Sequence, residues 1–208
     1  MFLAVINEST AITHADVVKA AKKCDTQLQM HVAPAWNMIP PQIVSCENRE
    51  QIPHDADILT ILDQSDSPGH VGYHRVTPDG RPYLRVFVHP ILIHGGEFLT
   101  GSLSVSSVMS HEICEWFVDR FLNVWVDGPD GQYALEICDP VAEDTYEIDG
   151  VSVSNFVYRP FFDPQAPLTS QFDHLRIVKT PFTARPGCHL HVQKNGKLQS
   201  IRGGFWEP

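Results

Sequence analysis

Apolar positions along this chain follow two spacings, and the places where one gives way to the other mark its elements. Val17, Val18, Ala21, Cys24 and Leu28 recur at helical spacing behind Thr13, a capping residue with Asp16 three positions on, so 15–30 reads as an amphipathic helix. Residues 57–63, Asp-Ile-Leu-Thr-Ile-Leu-Asp, are short, β-branched and apolar, as a buried strand is. Residues 83–89 alternate like another strand after the turn Thr77-Pro78-Asp79-Gly80. From 105 to 122 the pattern is helical but apolar on most sides, with Val108, Met109, Ile113, Cys114, Trp116, Phe117, Phe121 and Leu122 leaving little polar face. A helix of that kind is buried. Turns and strands follow: a turn at 127–131, a strand at 133–138, and two hairpins. Asp149-Gly150 joins 146–148 to 151–153, and Asn195-Gly196 joins 189–192 to 198–201. The proline-rich stretch 159–167 carries Phe161 and Phe162 and reads as an ordered loop. Helix, strands, buried helix and a β-rich remainder, in that order, predict an α+β fold.

Composition narrows the functions. An apolar share of 43% over 208 residues suits one domain with a sizeable core. Lys and Arg total 15 against 25 Asp and Glu, a formal net charge of -10 without a basic cluster, so nucleic acid is not expected as a partner. No apolar run approaches the ~20 residues of a bilayer span, and the first eight residues lack a signal peptide's basic start, so a cytoplasmic protein without membrane contact is expected. Five widely spaced cysteines, without a Cys-x-x-Cys pair, read as small buried apolar residues in a reducing compartment; Cys138, beside Asp139, is the one placed to approach a metal.

The chemistry concentrates in Ser110-His111-Glu112-Ile113-Cys114-Glu115-Trp116. At ~3.6 residues per turn, His111 and Glu115 project from one helix face about a turn apart, with Glu112 on the flank. A divalent ion in a hydrolytic site takes about three protein donors and keeps a position open. The next segment, 134–140, offers Glu136 and Asp139 in apolar surroundings, where an unpaired carboxylate is costly. Asp139, at the strand's end before Pro140, is the preferred third ligand and Glu136 the alternative; the one not used is placed to accept the free ring proton of His111. One imidazole and two carboxylates neutralise a divalent cation, with zinc first and manganese or iron also suited. Asp119, four residues after Glu115, reads as a supporting acid.

The motif is one letter from His-Glu-x-x-His, and with Glu-x-Cys-Asp-Pro after it the chain resembles the zincin metallopeptidases. It is also similar to uncharacterised bacterial and phage zincin-like proteins, from Asp57 onward. The resemblance implies a single domain with a mixed sheet, a long N-terminal helix and a central metal-binding helix. It makes His111 the first ligand, puts Glu115 in the second-ligand position and makes Glu112 the general base that deprotonates a metal-activated water. It further implies Tyr146 as a donor to the oxyanion, an edge strand at 83–89 that pairs with an extended peptide, and a peptide or small amide or ester as substrate. The chain departs from the pattern at Glu115, at Phe121 where metzincins place a third histidine, and at Pro140 where gluzincins place an aspartate after Glu136. Two other readings stand beside the hydrolase: a catalytically silent binding or structural module in a phage or secretion particle, and a His/carboxylate metal oxygenase or lyase. His189 and His191 share a strand face but read as a surface hairpin. His70 and His74 read as cleft-lining at most, and His89 and His94 as surface residues. Substrate identity and oligomeric state are not encoded legibly.

Overall fold

A computed structural model describes residues 1–204 and shows an α+β architecture. Strand β1 (Phe2–Asn7) leads into helix α1 (His14–Gln27), whose first turn is capped by the Thr13 side chain accepting from the Asp16 amide. The helix runs on through a π-helical turn, Leu28–Val32, into α2 (Ala33–Trp36), which ends at Asn37 in the left-handed conformation. Strands β2 (Gln42–Cys46), β3 (Asp57–Leu62), β4 (Gly72–Val76) and β5 (Pro82–Phe87) join β1 in a five-stranded sheet of order β2-β1-β3-β5-β4. All neighbours are parallel except β4 and β5, which form an antiparallel pair. The segment expected at the edge, 83–89, is therefore interior, and β4 is the edge. Alternation in β5 fixes which of its residues face the helices but not which side another strand occupies.

Register carries the helix-facing side across the sheet. Val5 lies beside Leu59, Leu59 beside Leu84, and Leu84 beside His74. Residues directly paired share a face, so the row that is apolar in the sheet's middle ends in His74 at its edge. Gly72, beside Val86, is on that same face.

Helix α3 (Val88–Ile93) and a loop lead to α4 (Val105–Val118), which begins in a capping box between Ser104 and Ser107. All of its 14 residues except His111 and Val118 are buried, as the all-round apolar pattern predicts. Trp116 and Asp57 join its C-terminal end to the start of β3: the indole N–H donates to Asp57 at 2.8 Å, and Arg120 donates to both Asp57 oxygens at 2.6 and 2.8 Å. Removing one partner of such a buried charge costs about 3–5 kcal/mol. The helix stops before Phe121, which is 45% exposed. Asp119 accepts from the Asn123 and Val124 amides and so ends the helix without supporting a ligand.

Beyond α4, β6 (Trp125–Gly128) and β7 (Gly131–Ala134) join β10 (His189–Lys194) and β11 (Lys197–Arg202) in a second sheet, and β8 (Thr145–Ile148) pairs with β9 (Val151–Ser154). Both hairpin dipeptides adopt the two successive positive φ values that their residues favour: 48° and 73° at Asp149-Gly150, 52° and 73° at Asn195-Gly196. The strand expected over 133–138 ends at Ala134, and a 3₁₀ turn spans Asp139–Val141. There the Cys138 and Asp139 amides donate to a helix side chain, leaving them no part in a ladder. Phe161 and Phe162 anchor the proline-rich loop in the core, and all five cysteines are unpaired and buried. Among the described residues no helix is long and apolar enough to cross a membrane.

Candidate metal centre

Two elements bring the expected ligands together. On the exposed side of α4, the His111 Nε2 lies 3.2 Å from Glu115 Oε2, and the 3₁₀ turn presents Asp139 Oδ1 3.3 Å from the same nitrogen. Glu115 does two jobs. Its Oε1 accepts from the Cys138 and Asp139 amides at 3.0 and 3.1 Å, fixing the turn against the helix, while Oε2 stays on the His111 side. Cys138 thus contributes its backbone rather than its thiol.

The donor atoms of His111, Glu115 and Asp139 lie within 4.8 Å of one another. Burial alone would lower the His111 pKa, but the Glu115 and Asp139 charges outweigh it and hold the imidazole well above its ordinary value. Burial likewise favours a neutral Asp139, yet His111 and His189 keep its carboxyl well below the usual range. Among the described residues, Glu112, Glu115 and Asp139 have no Lys or Arg ion-pair partner; histidines alone face them. Buried acids gathered without a permanent cation fit a divalent ion as the missing charge.

Glu112 is 6% exposed and meets β4. Its Oε2 is 3.6 Å from His74 Nδ1, which is also 3.9 Å from Glu115 Oε2. Burial pushes the Glu112 carboxyl up, with His74 pulling the other way. Glycine at position 72 lets strand and helix approach, because a Cβ there would sit 2.5 Å from Val108 Cγ1 and 3.0 Å from Glu112 Oε1. Nothing local sets His74 apart from the other cleft histidines; the alternation of Gly72 and His74 against Tyr73 and Arg75 was its available signal.

Two further imidazoles arrive from β10. Leu190 and Val192 go into the core, so His189 and His191 share the opposite face, and that face meets Asp139. His189 Nε2 and His191 Nδ1 are 3.2 and 3.6 Å from Asp139 Oδ2. The surface-hairpin expectation is corrected here. A bond from the Arg185 amide to the Pro140 carbonyl, 2.8 Å, ties the strand's approach to the Asp139 turn.

Other expected residues lie apart from this cluster. Glu136 lines the same cavity, but its Oε2 is buried without a partner, and burial with the nearby Glu115, Asp139 and Glu112 charges pushes its carboxyl well up; it falls outside the His111 group. Tyr146 does not line the cavity. Its hydroxyl meets His31 Nδ1 at 2.8 Å and Gln27 Nε2 at 3.2 Å, beside α1. His70 is exposed at the cavity rim, His89 pairs with Gln64, and His94 bonds the Pro90 carbonyl.

The cavity holds about 650 Å³ and is walled on one side by residues 69–74, including the free edge of β4, and on another by the β10–β11 hairpin. A buried His/carboxylate cluster opening on such a space can bind a cation and a small or extended ligand beside it. Compared with known proteins, the chain matches no family model, no curated protein and no solved structure.

Proposed function

We propose that this protein is a metal-dependent hydrolase, with a peptide or other amide or ester as substrate and zinc as the first candidate ion. The observation that carries the reading is the convergence of His111, Glu115 and Asp139 at the cavity with Glu112 buried one residue along the helix. His111, Glu115 and Asp139 would hold a divalent ion, which would supply Lewis acidity toward a water and a carbonyl oxygen. Glu112 is the proton acceptor: its carboxylate is the one acid of the helix outside the His111 group, grouped instead with His74 and Glu115, and burial pushes it up. His74 holds Glu112 in place, and Glu115 fixes the Asp139 turn through its second oxygen. The edge of β4 offers backbone groups to an extended substrate along the cavity wall. The family resemblance to zincins points the same way and adds the peptide to the substrate class.

The test is Glu112→Gln, which keeps the side chain's size and removes its basicity. Loss of about 10²–10⁴ in kcat with metal content unchanged supports the hydrolase; unchanged turnover takes the base role from Glu112, and no turnover in the unaltered protein beside a retained ion supports a cation that only staples a binding module. A second reading has its own observation: Asp139 with His189 and His191 is a two-histidine, one-carboxylate set, the donor type of non-haem iron oxygenases. Iron content and dioxygen consumption separate it from the hydrolase.

A further inference from the structure

Asp139 is shared between two groups of donors that do not merge. Its Oδ1 faces His111 and its Oδ2 faces His189 and His191. Among the described residues, the groups of ligand atoms within 4.8 Å of one another include His111, Glu115 and Asp139, and separately Asp139, His189 and His191, but none that holds both His111 and His189. Donors to one ion sit at most about 4.2 Å apart, twice a metal–nitrogen distance of ~2.1 Å. As they stand, the two imidazole sets form separate groups on either side of Asp139.

Charge points the same way. Glu112, Glu115, Glu136, Asp139 and Glu143 line the cavity, with Arg202 as the lining residue of permanent positive charge. The two β10 imidazoles are about a third exposed, 34% and 38%, so they are open to an ion arriving from the cavity while their backbone is fixed in the second sheet.

We propose that Asp139, His189 and His191 hold a second divalent cation and that the Asp139 carboxylate bridges it to the ion at His111 and Glu115. The bridge rests on the first site proposed above; the second ligand set stands on its own geometry. Paired ions ~3.5–4 Å apart are a recurrent hydrolytic arrangement, in which both stabilise the charge of one displacement. Besides the shared Asp139, the second ion takes its ligands from the β10–β11 hairpin and the first from helix α4.

The experiment is equilibrium dialysis of chelator-stripped protein against zinc, with bound metal counted by elemental analysis. The intact chain is expected to hold two ions, His189→Gln/His191→Gln one, and His111→Ala one. Manganese-loaded protein should give the electron-spin resonance of a coupled pair, and the His189→Gln/His191→Gln variant that of an isolated ion. Circular dichroism of each stripped variant establishes that it is folded. One ion in the intact chain, unaffected by His189→Gln/His191→Gln, overturns the second site and leaves the first standing. One ion lost in both variants means a single shared ion and overturns it too. Two ions without spin coupling overturn the bridge, and no bound zinc at all overturns both sites together.

Discussion

Two clusters of histidines flank helix α4, and their neighbours make them opposites. On the cavity side His111 stands among carboxylates; on the α1 side His31 stacks on His174 at 4.7 Å between centroids, with Tyr146, Tyr158 and Phe156 around them. Carboxylates hold the first imidazole above its ordinary pKa, whereas burial lowers His31 and brings His174 down to about 4, His31 adding to the effect. A protonated or metal-bound imidazole is favoured in one place and a neutral, packed one in the other. Histidine content therefore does not mark a site; the acids that face it do.

The comparison breaks most sharply on metal binding. His111→Ala should lower cation affinity by more than the 10–100-fold that changes to outer partners of a metal site cost, and His31→Ala should leave it unchanged; isothermal titration with zinc reads both. Equal losses would erase the distinction. His74→Ala, which frees Glu112 and removes a neighbour of Glu115 but none of the three ligands, should cost about 10–100-fold in kcat with the ion retained, measured by steady-state kinetics beside metal content.

Acid acts on the aromatic cluster in a defined window. His174 falls from an ordinary 6.5 to about 4 in the fold, so the unfolded chain binds the proton more tightly. The stability this residue contributes is complete above pH 6.5 and declines as pH falls toward 4. Chemical denaturation of the stripped protein across that window should show the decline, and His174→Phe should flatten it; an identical slope in the variant would contradict the assignment. The smallest effect is expected from Tyr146→Phe, which removes hydrogen bonds to His31 and Gln27, costs about 0.5–1.5 kcal/mol of stability, and leaves turnover unchanged. A large fall in kcat would return Tyr146 to the catalytic machinery.

Local patterning made much of this molecule legible. The capped helix after Thr13, the buried helix with His111 and Glu115 on one face, and the two Gly-containing hairpins all follow from spacing and turn chemistry over a few residues. Asp139 stood out as a carboxylate before Pro140 in an apolar segment, although the strand expected there gives way to a 3₁₀ turn. What was not readable depends on which distant segments meet. Alternation put His189 and His191 on one face without revealing that the face meets a turn some 50 residues earlier. It could not tell that β4, after β5 inserts beside β3, becomes the edge and brings His74 to Glu112. Tyr146 misled for the converse reason: near the carboxylate segment in sequence, it sits on a hairpin that β9 packs against α4 and α1, carrying it behind the site.

The central claim is that His111, Glu115 and Asp139 grip a divalent cation. Anomalous diffraction at the zinc edge from crystals grown with zinc tests it most directly: the account predicts a peak within ~2.0–2.2 Å of His111 Nε2 and of a carboxylate oxygen from both Glu115 and Asp139. Ordered density for the three side chains with no anomalous peak between them would contradict it.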